Sequence, residues 1–223
     1  MRITLKLATS LDGKIATASG ESRWITGAAA REEVHRLRLI HMNVLVGVET
    51  VIADDPELTV RMGGNVAGQP RRIVLDSRQR IPQASKLVQT AERIPTLVLT
   101  TQNPNKRLTD AGVNVVKVAE KDGRVDVAAA VAAIGEAAAL EGRWARLGVQ
   151  ALMIEGGGQV AASFLSAGLV DAIEWFRAPI VLGEEGRPAV GAFVLKDLAA
   201  APRFTRTSVQ EVGPDLWERY ERL

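Results

Sequence analysis

Apolar and polar positions follow two alternating patterns along this chain. Short, nearly continuous apolar runs recur at 2–9 (RITLKLAT), 43–48 (NVLVGV), 71–76 (RRIVLD), 95–101 (PTLVLTT), 113–118 (VNVVKV) and 151–154 (ALMI). Runs of this length predict strands covered on both faces, as in a parallel sheet flanked by helices. Between them, apolar residues take helical spacing. Val34, Leu37 and Ile40 share one face of a helix predicted over 28–40, with Thr26 or Gly27 as its cap. Residues 49–61 begin as a helical turn and break at Pro56. An alanine-rich helix is predicted over 125–141, and a further one from Gln159 to Ala167. Three strand-like stretches, 171–182, 203–212 and 215–221, close the chain with no helix between them. Strands alternating with helices, then consecutive strands, predict an α/β fold with a mainly parallel central sheet and antiparallel C-terminal edge strands. Residues 10–27, rich in Ser, Thr and Gly, and 63–68 (GGNVAG) read as loops. No repeat or linker interrupts residues 1–223, so a single domain is expected.

Composition then removes whole classes of function. The 223 residues are 47% hydrophobic and 24% charged, as in an ordinary globular protein. A net charge of +2 supplies no field on the scale that nucleic-acid binding needs. The absence of cysteine excludes disulfides, thiolate zinc sites and a cysteine nucleophile. Two histidines, His35 and His41, are too few for a His-based metal site and read as surface or boundary residues. Lys6 interrupts the first apolar run, which is too short for a signal peptide. No run approaches the ~20 apolar residues of a membrane span. A cytoplasmic protein is expected, with no metal, nucleic-acid or membrane partner.

The candidate chemistry centres on 151–168, ALMIEGGGQVAASFLSAG. An apolar strand, a turn through Glu155, Gly156, Gly157 and Gly158, and a helix read either as a plain tight turn or as an anion site. Glycines let a ligand approach the main chain, and the first helical turn presents unpaired N–H groups. The GxGxxG spacing of the dinucleotide fingerprint is absent. Glu155 lies at the carboxyl end of the strand, where open α/β sheets bind ligands. Other candidates leave two readings open. Lys14, in the Asp12-Gly13-Lys14 turn, is a solvated turn lysine or a cation facing substrate. Trp24 is a packing anchor or a cover for a flat ring. Asp54-Asp55-Pro56 reads as a turn rather than a paired-carboxylate metal site. Arg38 and Arg61 are surface cations or phosphate ligands. Ser77-Arg78, at a strand end, suits the 2′-phosphate of a dinucleotide. Glu32-Glu33 reads as a solvated helix face.

Five stretches carry a resemblance. SLDGKIATASGESRWITG, VGVETVIADDPELTVR, RRIVLDSRQRIP, MIEGGGQVAASF and APIVLG stand in the order and spacing of the reductase domain of riboflavin-biosynthesis enzymes. The resemblance spans residues 2–183. It implies a dihydrofolate-reductase-like, three-layer αβα domain that uses NADPH to reduce the ribosyl group of a phosphorylated aminopyrimidine to a ribityl chain. It places the cofactor on Ala8, Trp24, Thr50, Asp54, Ser77 and the run Gly157, Gly158, Gln159, Val160, Ala161, Ala162 and Ser163. Substrate is implied at Ser22, Arg38, Leu58, Arg61 and Glu155, with Lys14 matching a family lysine there. Lys14 or a bound water is then the expected proton donor, with Glu155 or Asp54 as orienting partners. Arg78 adds a guanidinium beside Ser77. The resemblance also implies a homodimer. Glu49 stands where the family usually has a small residue. The zinc deaminase to which such reductases are often fused needs cysteines that this chain lacks.

Two other functions remain to be distinguished. A true dihydrofolate reductase needs a buried carboxylate about five residues beyond the loop tryptophan; that position is Ala29, and the first acid is Glu32. A non-catalytic nucleotide-binding protein would keep the glycine turn only, whereas Lys14, Arg38, Arg61 and Glu155 are all present.

Overall fold

The apolar runs form strands in the computed structural model, which describes residues 1–63, 68–140 and 151–223. The expected loop at 63–68 lies largely outside the described residues, as does residue 141 of the expected helix. The chain begins with β1 (Arg2–Thr9), β2 (Lys14–Ala16), α1 (Ala28–His41), β3 (Asn43–Gly47) and α2 (Val48–Asp54). It continues through β4 (Arg71–Leu75), α3 (Lys86–Gln89), β5 (Thr96–Thr100), α4 (Lys106–Thr109) and β6 (Asn114–Lys117). A small hairpin, β7 (Glu120–Lys121) and β8 (Arg124–Val125), leads to α5 (Val127–Leu140). Then come β9 (Ala151–Gly156), α6 (Gly158–Ser166), β10 (Ala172–Arg177), β11 (Arg187–Pro188), a 3₁₀ turn at Leu198–Ala200, β12 (Phe204–Val212) and β13 (Asp215–Arg222). The protein is mixed α/β with a large, mostly parallel sheet, as the patterning predicts.

The chain divides into two compact units, one of residues 1–2 and 37–153, the other of 3–36 and 154–223. In the first, β3, β4, β5 and β6 pair in that order, all parallel. Every residue of β3 and β5 is buried, which is why these runs are continuously apolar rather than alternating. β4 opens on Arg71 and Arg72, both buried. The Arg72 guanidinium donates to Thr90 Oγ1 (2.7 Å), Thr96 Oγ1 (2.6 Å), Ile94 O (2.8 Å) and Leu87 O (3.1 Å). Arg71 donates to Asn43 Oδ1 (3.0 Å) and Ile134 O (3.0 Å). The two residues thus join the start of the strand to its neighbours by polar contacts inside the core.

In the second unit β1 pairs β10 in parallel, Thr4 opposite Ala172 through Thr9 opposite Arg177. The chain then turns antiparallel, β10 to β13 and β13 to β12. β10 alternates buried and half-buried residues, and Phe176 stacks on Trp217 at 5.3 Å between ring centroids. Glu174, buried on the same strand, accepts from Trp217 Nε1 (2.6 Å) and Arg219 Nε (3.0 Å).

Four local expectations need correction. Ile40 is 62% exposed; the buried face of α1 is Ala30, Val34, Leu37 and His41. His41 is therefore a core residue, its Nδ1 2.8 Å from Leu37 O. Val48 starts α2 instead of ending β3. The strand expected over 171–182 stops at Arg177, and Pro179 has no N–H to continue a ladder. No helix among the described residues is long and apolar enough to cross a membrane.

Candidate active site

β9 delivers Glu155, half-buried, at its carboxyl end, and the chain then turns at Gly157. Gly157 is the N-cap of α6 and has φ +92° and ψ 107°, a conformation that side-chain-bearing residues avoid. No side chain caps the helix, and its first turn holds no acid. The first helical turn thus carries the amides of Gly158, Gln159 and Val160 at the positive end of the helix, with no acid within the turn itself. Gly158 is needed for a second reason. A Cβ there would lie 2.7 Å from Pro188 O, and the Gly158 carbonyl accepts from Gly191 N (2.7 Å).

Residues 182–191 are the part of this site that the sequence reading missed. They connect the glycine turn to the Lys14 turn. Pro188 pairs with Lys14 across β11 and β2, and Ala189 N donates to Gly13 O (3.0 Å). Lys14 Nζ donates to Glu184 O (3.1 Å), and a Cβ on Gly186 would meet Lys14 Cγ at 2.9 Å. Asp12 holds the other end: its carboxylate accepts from Ser10 Oγ (2.6 Å), Gly183 N (2.8 Å) and Leu182 N (3.1 Å). The structure therefore brings Lys14 and the glycine turn to one short segment. The signal was present in the spacing of Gly183, Gly186 and Gly191, since glycines often mark close backbone approach.

Trp24 is 73% exposed with φ +75°, so it is no packing anchor. The Arg31 guanidinium lies over its ring at 4.3 Å, leaving the indole on the surface. Ala8 is half-buried on β1 opposite Phe176, and Ser22 is half-buried in the loop after β2. Of α6, Ala161 and Ala162 are buried, Val160 and Ser163 half-buried.

In the first unit, Arg38 and Arg61 meet at one residue. Arg38 donates to Thr59 O (2.7 Å) and Arg61 to Thr59 Oγ1 (3.0 Å), with Glu57 3.2 Å from Arg61. Two guanidiniums at one threonine suit a phosphate. Leu58, beside them, is buried with φ +54°, so it can offer a ligand its backbone but not its side chain. Asp54 ends α2 and is exposed, whereas Asp55 turns left-handed (φ +41°) and accepts from Lys86 N (2.8 Å). Thr50 is half-buried on α2, and its neighbour Glu49 pairs with Arg80. Ser77 Oγ accepts from Val125 N (2.9 Å), which leaves its O–H to donate. Arg78 is exposed and makes no hydrogen bond or ion pair among the described residues.

The Ser10 hydroxyl, then the Leu182 and Gly183 amides, hold the Asp12 carboxyl down to about 2 from 3.8. Because the folded value is depressed, the stabilisation is complete above the ordinary carboxyl range. It is lost as pH falls from about 3.8 toward about 2. The melting temperature should therefore drop more steeply across that window in the wild type than in Asp12→Asn. Parallel curves would mean that these bonds do not persist in solution.

Residues 1–217 match the family model described as RibD C-terminal domain. The chain belongs to that family. The RibD protein of Actinobacillus pleuropneumoniae is 34% identical over 218 residues, covering 96% of this chain and 55% of the relative. The chain thus spans about half the length of the curated relatives it matches. Among solved structures, RibD of Acinetobacter baumannii superposes with a TM-score of 0.81 at 30% identity, over all of this chain and 58% of that one. A Thermotoga maritima deaminase/reductase follows with a TM-score of 0.77 at 26% identity, over all of this chain and 56% of that one. That protein is named as a 5-amino-6-(5-phosphoribosylamino)uracil reductase. RibD membership accounts for the order of the five motifs along the chain.

Proposed function

We propose that this RibD-family chain is a cytoplasmic, homodimeric, NADPH-dependent oxidoreductase of riboflavin biosynthesis. Its reaction is reduction of the ribosyl group of a phosphorylated aminopyrimidine to the ribityl product. The substrate is 5-amino-6-(5-phosphoribosylamino)uracil or its 2,5-diamino precursor. The observation that carries this reading is the glycine-capped α6 with Lys14 tied to it through residues 182–191. An anion site and a cation stand on one segment, in a chain whose family includes such reductases. Incubation with NADPH and either pyrimidine phosphate should convert ribosyl to ribityl, read by mass spectrometry. Absence of product from both substrates would remove the proposal.

The residues fit a dinucleotide that carries an additional phosphate. The first turn of α6 holds no acid, and Arg78 is an exposed cation with no hydrogen bond or ion pair among the described residues. The cofactor supplies a hydride. The chain's task is to hold donor and acceptor in register, which is worth effective molarities of about 10⁵ M or more. In this reading the α6 amides and Gly157 take the pyrophosphate, and Ser77 with Arg78 takes the 2′-phosphate. Arg38 and Arg61 take the substrate phosphate. Lys14 brings the proton, directly or through water, with Glu155 or Asp54 orienting it.

Two consequences are measurable. Arg78→Ala should narrow the preference for NADPH over NADH by about tenfold, the value of one charge-assisted hydrogen bond. Equal affinity of the wild type for both cofactors would remove NADPH from the account. Glu155→Gln keeps size and loses charge, so bonds to ribosyl hydroxyls become neutral ones. It should lower kcat/KM by about ten- to thirtyfold and leave NADPH affinity unchanged. A destabilised variant with unchanged kcat/KM would make Glu155 structural.

A further inference from the structure

A lysine amine on a four-carbon stem is a poor catalytic group unless something fixes it, because each methylene rotates freely. Lys14 is fixed from two sides. Its stem packs where a Cβ on Gly186 would intrude, at 2.9 Å from Cγ and 3.1 Å from Cβ. Its amine donates to Glu184 O at 3.1 Å. Both contacts come from residues 182–191, which have little secondary structure to hold them. β11 is two residues long and shifts register at Arg187/Pro188. What secures the start of this segment is Asp12, two residues before Lys14. Its carboxylate accepts the consecutive amides of Leu182 and Gly183 while also holding Ser10. At the other end Gly191 N donates to Gly158 O, on the glycine turn.

We propose that Asp12 is a positioning residue: it latches segment 182–191 onto the Ser10–Lys14 turn, and that segment sets where the Lys14 amine stands beside the glycine turn. This rests on the reading of Lys14 as the proton-delivering cation. Asp12 touches neither substrate nor cofactor in this account. Its carboxylate accepts from a hydroxyl and two amides. Gly186 packs against the same lysine: a methyl group there would press on the Lys14 stem and, at 3.1 Å, on the Gly183 carbonyl that accepts from Gly186 N.

A double-mutant cycle tests this, with kcat, KM, NADPH affinity and melting temperature measured for Lys14→Ala, Asp12→Ala and the pair. Turnover is assayed on the ribosylaminopyrimidine phosphate. Asp12→Ala should lower kcat by about tenfold, and Asp12→Asn, which keeps an acceptor oxygen, should recover part of it. In the Lys14→Ala background, Asp12→Ala should change kcat by less than about twofold, because the group it positions is gone. Additive losses in the cycle would overturn the proposal and leave the Lys14 reading intact. So would unchanged kcat in Asp12→Ala. Full kcat in Lys14→Ala would instead refute the reading on which the proposal rests.

Discussion

Replacing Gly157 with valine is expected to lower NADPH affinity by about a hundredfold or more, since two charge-assisted bonds of ~1.5–3 kcal/mol each are at stake. At φ +92° and ψ 107° a β-branched side chain collides with its own main chain. The turn must then either reshape or carry about 1–3 kcal/mol of strain. Reshaping rotates the amides at the start of α6 away from their common focus, and the valine methyls block approach to what remains. Because valine is strained at this backbone conformation, melting temperature should fall along with affinity. Gly157→Ala separates the two effects. It carries most of the backbone strain with less bulk, so it should show a similar loss of stability and a smaller loss of binding. NADPH titration followed by tryptophan fluorescence reads the affinity. Normal binding by folded Gly157→Val would make the turn structural only.

Arg72→Ala is expected to cost about 3–5 kcal/mol of stability, from a buried cavity and several unpaired acceptors together. Arg72 is fully enclosed, and burial pulls its guanidinium down to about 10, against the opposing effect of Glu57. Its hydrogen-bond acceptors are two carbonyls and two hydroxyls, with no carboxylate among them. Truncation leaves Ile94 O and Leu87 O to find other donors. The Thr96 hydroxyl can partly replace the arginine, being within 3.1 Å of Ile94 O and 3.3 Å of Leu87 O. Arg72→Met keeps most of the volume and should cost less than alanine. Urea denaturation should rank wild type above methionine and methionine above alanine. An alanine midpoint equal to wild type would show that the guanidinium is not holding α3 and the start of β5 to β4.

What the sequence made legible follows physical length scales. Strands of five residues buried on both faces, such as Asn43–Gly47 and Thr96–Thr100, leave an apolar run that nothing else resembles. The turn before α6 was legible as a turn because a glycine cluster between a strand and a helix marks a sharp change of chain direction. The loop that ties Lys14 in place was not. β2 and β11 span three and two residues, too few to show a period, and the Asp12 bonds to Leu182 and Gly183 close a separation of about 170 residues. Ile40 and His41 exchanged roles for a related reason. Adjacent residues on a helix lie 100° apart, so a three-residue pattern cannot say which of two neighbours begins the buried face. Arg38 and Arg61 were each visible as cations, but their meeting at Thr59 depends on the path of 55–61, where Asp55 and Leu58 both take positive φ.

The central claim is that this chain reduces a ribosylaminopyrimidine phosphate with NADPH. The most direct test follows NADPH oxidation with 5-amino-6-(5-phosphoribosylamino)uracil, its 2,5-diamino precursor and dihydrofolate in parallel. The account predicts turnover with at least one pyrimidine phosphate and none with dihydrofolate. Turnover with dihydrofolate, or NADPH binding with no oxidation on either pyrimidine, would contradict it.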